Sequence, residues 1–200
     1  MKVAIVKYNA GNIRSVINAV KRLGVDPIYT DEANVLRNAD RVIFPGQGEA
    51  STAMAYLQEH GLVDVIRSLR QPVLGICIGQ QLLCRHSEEG DTDCMGIFRT
   101  DVRRFRPVRH EDKVPVMGWN TLHNLKTPLF NGLTDEIEKS PYVYFVHSYY
   151  CPLCEDTIAE SHQILSYSAA LHHDNFYATQ FHPEKSGDVG EQILRNFLTL

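Results

Sequence analysis

The sequence predicts an α/β fold: a doubly wound, mostly parallel central sheet flanked by helices, with extra antiparallel strands in the second half. Three observations carry that prediction. Apolar runs of strand length alternate with helical patterns through the first half, as parallel βαβ units read. Over residues 98–180 the chain becomes rich in Val, Tyr, Phe and Thr, punctuated by turn signals at "RPVRHEDK", "NGLTDE" and "LHHDN". In between, a buried-looking strand at residues 73–76 turns straight into a helix through Cys77.

Taken in chain order, residues 2–6 form the first strand. Asn12 is a candidate N-cap for a helix whose Ile13, Val16, Ile17, Val20 and Leu23 share one face, and Gly24 closes it. Residues 25–29 form a second strand, after which Thr30 or Asp31 opens a short helix. Residues 41–44 form a third strand that breaks at "PGQGE". Ser51 then caps a helix carrying Met54 and Leu57, and residues 62–69 are helical again. Beyond the Cys77 corner and its helix lie the shorter strands, one of them at residues 177–180. A last amphipathic helix, residues 189–198, presents Ile193, Phe197 and Leu198 on one face. No repeat, low-complexity linker or composition break divides the chain, so residues 1–200 read as one domain.

Two hundred residues at 44% hydrophobic content can bury a core without staples. A formal charge of -4 announces no nucleic-acid-binding surface. No apolar run approaches the roughly 18 residues of a membrane span, and Met1 and Lys2 lead into a strand rather than a signal peptide. A cytoplasmic enzyme is therefore expected, with neither nucleic acid nor membrane as partner. Five cysteines in such a chain default to thiols, one of which is available for chemistry.

Cys77 stands at the corner of "QPVLGICIGQQLL". An abrupt strand-to-helix turn forces its corner residue into a strained backbone and projects the side chain above the sheet edge. Gly75 and Gly79 remove side chains that would collide around the bend. The amide of Ile78 points where an oxyanion would form, and a helix N-terminus favours thiolate. Cysteine is also among the most buried residue types, so the corner alone serves packing as readily as catalysis. A thiol nucleophile needs a base, and the base an orienting group. "YATQFHPEKS" supplies both: a strand leads to His182, and Glu184 follows two residues on, where side chains of an extended segment point the same way. His182 would take the thiol proton and Glu184 would fix the imidazole tautomer.

"GICIGQQ" and "FHPEKS" resemble the G-x-C-x-G-x-Q elbow and the H-P-E motif of the class I, or triad, glutamine amidotransferases, whose fold is flavodoxin-like. "YNAGNIRSV", "PGQGEASTAM", "KVPVMGWN" and "YFVHSYY" extend the resemblance over essentially the whole chain. They narrow it to the glutaminase subunits of imidazole glycerol phosphate synthases. The resemblance implies that Cys77 attacks the side-chain amide of glutamine, that His182 protonates the departing nitrogen and that Glu184 orients His182. A glutamyl thioester and ammonia result, and water releases glutamate. It further implies an oxyanion hole from the amides of Ile78 and of Gln47 or Gly48, and a grip on glutamine from Gly48, Gln81 and the backbone of Ser148 and Tyr149. The implied partner is a HisF-like (β/α)8 cyclase, forming a heterodimer that receives ammonia for histidine biosynthesis. Asn12, Trp119, Asn120, Tyr144 and Lys185 match positions facing that partner or the ammonia exit. No cofactor and no metal are implied.

Several features depart from the pattern. Gln47 occupies a position that is more usually small or apolar and Gln80 one that is commonly apolar, and the spacing of four from the cysteine favours Gln81 over Gln80 as the pocket residue. "CPLC", with Cys151 and Cys154, is half of a zinc pattern without its second pair, so two thiols near the glutamine pocket are expected. The chain carries no P-loop and no dinucleotide fingerprint, which places the ammonia acceptor on another chain. A class I amidotransferase serving pyridoxal phosphate synthesis would share Cys77, His182 and Glu184. A non-catalytic glutamine-binding protein would keep the fold and lose the nucleophile or the histidine. A peptide-cleaving cysteine hydrolase fits the "PGQG" and "HSYY" segments less well than a small amino-acid pocket does.

Overall fold

The computed structural model describes residues 1–11, 13–134 and 139–200. The first half alternates as read: β1 (Val3–Val6), α1 (Arg14–Arg22), β2 (Ile28–Thr30), α2 (Ala33–Arg37), β3 (Arg41–Gly46), α3 (Ala50–Glu59), α4 (Leu62–Arg67), β4 (Val73–Cys77) and α5 (Ile78–Leu83). Short strands follow: β5 (His86–Ser87), β6 (Thr92–Asp93), β7 (Asp101–Arg104), β8 (Val116–Thr121), β9 (Tyr142–His147), β10 (Tyr149–Tyr150), β11 (Thr157–His162), β12 (Ser166–His173) and β13 (Phe176–Thr179). The chain closes with α6 (Gly187–Thr199), whose Ile193, Phe197 and Leu198 are buried as expected.

A seven-stranded sheet runs in the order β11-β12-β13-β4-β3-β1-β2. Its β2, β1, β3, β4 and β13 are mutually parallel, while β11 and β12 add antiparallel pairs at one edge. Every residue of β1 and β4 is buried, which is why both read as unbroken apolar runs rather than alternating ones. The decisive pairing joins the two halves of the chain. β13 lies parallel beside β4, with Thr179 opposite Ile76, so the H-P-E segment emerges at the same carboxyl edge as Cys77. Crevices outside that edge are where open α/β sheets bind ligands. Two smaller sheets, β10-β7-β5-β6 and β8-β9, complete the second half.

Local corrections concern element boundaries. Thr30 does not open a helix: it ends β2, and its hydroxyl accepts the Glu32 amide at 3.0 Å, leaving Glu32 to precede α2. Ser51 lies inside α3, where Glu49 precedes the helix and accepts hydrogen bonds from the hydroxyls of Ser51 and Thr52. β3 does not break at Pro45; it continues to Gly46, opposite Cys77. Asn12, the expected cap, lies outside the described residues; α1 starts at Arg14, and Gly24 follows it with φ +84°. Within "LHHDN", His172 and His173 belong to β12, so the turn is confined to Asp174 and Asn175. Asp135 and Glu136 of "NGLTDE" lie outside the described residues. Among the described residues no helix is long and apolar enough to cross a membrane.

Candidate active site

The corner at Cys77 is as tight as the sequence requires. Its φ of 56° lies in the left-handed region, an uncommon conformation for a residue with a side chain. Gly79 permits it: a Cβ there would stand 2.0 Å from the backbone oxygen of Phe44 in the neighbouring strand. At Gly75 a Cβ would meet Leu83 Cδ1 at 2.9 Å and the Gly79 backbone at 3.0 Å. The bend therefore presses the first turn of α5 onto β3 and leaves the Cys77 side chain 8% exposed at the rim.

His182 and Glu184 meet as expected, though by a different local geometry. The chain is extended only at His182; residues Pro183–Lys185 form a 3-10 turn, and the turn carries Glu184 back to the ring. Nδ1 of His182 lies 2.7 Å from Glu184 Oε1, with both side chains 2% exposed. The carboxylate only accepts, so Nδ1 carries the proton and Nε2 faces Cys77. That Nε2 is buried with no regular hydrogen-bond partner among the described residues. Burial alone would lower the His182 pKa, but the Cys77 sulfur and then Glu184 outweigh it and raise it to about 10. A sulfur, an imidazole and a carboxylate thus form one electrostatic unit.

The unit opens into a cavity of about 470 Å³, a size suited to a small amino acid. Of the expected residues, Gln47, Gly48, Ile78 and Gln81 line it from the elbow side, and Tyr144, Ser148, Tyr149 and Lys185 from the second half. Gln80 points the other way, toward Cys151 and the Ser168 carbonyl, so of the two glutamines Gln81 is the one that faces the cavity. Gln81 donates to Tyr149 O at 3.2 Å and to Gln180 Oε1 at 2.9 Å. Both of its N–H groups are engaged, so Gln81 offers a ligand its oxygen. Tyr149 O also accepts from His147 Nδ1 at 2.7 Å, and burial drives the His147 pKa down to about 4, keeping that ring neutral. With both lone pairs of that carbonyl occupied, Tyr149 contacts a ligand through its N–H or its ring.

Within residues 45–48, Gln47 and Gly48 line the cavity. The Gln47 amide donates to Ala10 O at 2.9 Å, so in this conformation it points away from an oxyanion at Cys77. Tyr8 donates its hydroxyl to Pro45 O at 2.8 Å; burial, with Cys77 nearby, pushes its pKa up and keeps it a neutral donor. Gly48 has φ +127° and open space around its missing Cβ, giving the peptide between Gln47 and Gly48 room to turn.

The chain as a whole is similar to known proteins. Residues 4–200 match the family described as Glutamine amidotransferase class-I. The chain belongs to that family. It is 62% identical over 200 residues to "Imidazole glycerol phosphate synthase subunit HisH" of Bacteroides fragilis and 61% identical to the protein of that name in Bacteroides thetaiotaomicron, covering each pair of chains completely. The identity is 45% with the Idiomarina loihiensis protein of that name, covering all of this chain and 98% of the relative. Among solved structures, one described as a glutamine amidotransferase superposes with a TM-score of 0.71 at 22% identity, covering 98% of this chain and 97% of that one. PurLQS from Thermotoga maritima gives 0.73 at 17% identity, covering 99% and 97%. At such identities these two speak for the fold alone, and the mostly parallel sheet is that of the family.

Other expected site residues fall further out. Trp119 is 55% exposed, ruling out a core role, and packs edge-on against Tyr144 with ring centroids 6.1 Å apart. Asn120 does not face outward freely: its amide donates to His162 O at 2.8 Å and its oxygen accepts the Thr121 amide. Cys151 is buried 3.4 Å from Cys84, and all five cysteines are thiols. Among the described residues no group of three or more His, Cys, Asp or Glu side chains could hold a metal. Three lining or supporting residues were missed from sequence: Glu89, His147 and Gln180. Glu89 lines the cavity, anchored by the Ala50 amide at 2.9 Å, with burial raising its pKa. Gln180 lies in the bend between β13 and His182, so no strand alternation reports its place.

Proposed function

We propose that residues 1–200 act as one glutamine amidotransferase domain, the glutaminase subunit of an imidazole glycerol phosphate synthase. Glutamine enters the 470 Å³ cavity. Its α-ammonium meets Glu89, the acidic side chain on that wall, and backbone N–H groups of Gly48, Ser148 and Tyr149 serve its polar ends. Cys77 Sγ attacks the side-chain carbonyl; His182, charged by the shared proton and steadied by Glu184, delivers that proton to the departing nitrogen. Ammonia leaves, and water, deprotonated by the now neutral His182, cleaves the thioester to glutamate. Ile78 N–H supplies one oxyanion donor, and the second comes from the Gln47–Gly48 segment. The observation that carries this reading is the 2.7 Å pair of His182 and Glu184 set against Cys77 at a strained elbow.

The partner is a HisF-like cyclase, supported by the full-length likeness to chains named as synthase subunits. Exposed Trp119, with Tyr144 and Lys185 at the cavity mouth, provides the docking and exit face. The hydrogen bond from Gln47 to Ala10 O supports a resting state in which one oxyanion donor is withheld. One such donor is worth roughly 100- to 1000-fold in rate, enough for a switch operated by the partner's ligand. The test is coexpression with the cyclase and assays of glutaminase with and without the cyclase substrate. Cys77→Ala is expected to abolish glutamine-dependent synthesis and to leave synthesis from ammonium salts intact. Loss of both would assign Cys77 a structural role, and an isolated chain as fast as the liganded complex would eliminate the withheld donor.

A further inference from the structure

Gln180 is fully buried beside the reacting sulfur, yet neither strand pairing nor core packing accounts for a carboxamide there. It follows Thr179, the partner of Ile76, and so stands one step further along, next to Cys77. Both ends of its side chain are engaged. Oε1 accepts from Gln81 Nε2 at 2.9 Å, and Nε2 lies 3.8 Å from Cys77 Sγ.

One atom that cannot donate fixes the polarity of this chain of contacts. Tyr149 O is a carbonyl, so the group that Gln81 turns toward it must be the NH2. That same NH2 meets Gln180, which must therefore present its oxygen there. The Gln180 NH2 is then left facing Cys77. Neutral His147 secures the origin of the relay, because its Nδ1–H occupies the other lone pair of Tyr149 O.

We propose that Gln180 is a positioning residue of the glutaminase reaction, donating an N–H to the Cys77 sulfur while fixing the Gln81 carboxamide so that its oxygen faces the substrate. The inference rests on the reading of Cys77 as the glutaminase nucleophile. A donor beside the sulfur favours the anionic nucleophile over the thiol. A locked Gln81 acts on substrate binding. One substitution at Gln180 therefore perturbs both attack and affinity, which a packing role would not do in this combination.

The test compares Gln180→Met, which keeps length and removes both contacts, with Gln180→Glu, which turns an acceptor toward the sulfur. Iodoacetamide alkylation of Cys77 at pH 7, read by peptide mass spectrometry, is expected to slow roughly tenfold in Gln180→Met and further in Gln180→Glu, the loss of one hydrogen bond to a charged group. In the complex, KM for glutamine is expected to rise several-fold and kcat to fall about tenfold. A second measurement needs no variant at Gln180: the side-chain 15NH2 resonance of Gln180 is expected to move when Cys77 is alkylated in the otherwise unaltered chain. An unmoved resonance overturns the proposal, as do folded variants that keep the alkylation rate and KM. A parent chain without glutaminase activity, or one unaffected by Cys77→Ala, refutes the underlying reading instead.

Discussion

Replacing Gly79 by alanine adds a single methyl group at the place where α5 presses on β3. That Cβ would stand 2.0 Å from the Phe44 carbonyl oxygen, roughly 1.4 Å inside ordinary contact. The obstacle is backbone in a central strand, hydrogen-bonded on both sides, and cannot rotate away as a side-chain tip could. Overpacking of this kind costs about 3 kcal/mol, the upper part of its usual range. Alanine returns about 1 kcal/mol through helix propensity, leaving a net loss of ~2 kcal/mol. For a chain of this size that lowers the melting temperature by about 4–8 °C. Relief requires α5 to move outward by about an ångström, carrying Ile78 and Cys77 with it, and a displacement of that size costs on the order of 100-fold in kcat. Calorimetry and a glutaminase assay in the complex measure both. A Gly79→Ala chain that melts within a degree of the parent and keeps its kcat would refute the close approach of helix and strand as the reason for this glycine.

Two further expectations concern the titrating groups. Glu184→Gln removes the charge that steadies the His182 imidazolium, so NMR should find the ring pKa below its parent value of about 10 and kcat lowered by roughly 100- to 10,000-fold; identical ring titrations in the two proteins would contradict the pairing. His147 is held neutral in the folded chain with a pKa of about 4, against 6.5 when unfolded, so stability is complete above pH 6.5 and is lost as pH falls toward 4. The full loss is on the order of 3 kcal/mol. Urea midpoints of the parent should fall across that interval more steeply than those of His147→Phe, and parallel curves would count against a buried neutral ring.

Much of this was legible in the sequence because it depends on short-range chemistry. A strand buried on both faces writes itself as a continuous apolar run, and glycines two before and two after a cysteine mark a bend too crowded for side chains. His182 and Glu184 were recognisable as a pair from their proximity in the chain, although the 3-10 turn that brings them together was not. What escaped notice depends on register. Gln180 acquires its place only when β13 settles beside β4 with Thr179 opposite Ile76, a pairing across a hundred residues that no local pattern encodes. Glu89 reaches the cavity because the start of α3 offers it the Ala50 amide, a contact between separate segments. The misplaced caps have a similar origin: Thr30, Asp31, Glu32 and again Glu49, Ser51, Thr52 offer several polar side chains in a row.

The adjacency of β4 and β13 has a consequence for tolerance to change. Cys77 ends one rail and His182 stands three residues past the end of the other, so loops of the long excursion between them can lengthen or shorten without altering how far apart the two reacting atoms stand, as long as β12 stays beside β13 and Tyr144 O still accepts the His182 amide. Edits that reach the rails, the Tyr144 anchor or the glycines that let α5 lie against the sheet change that spacing.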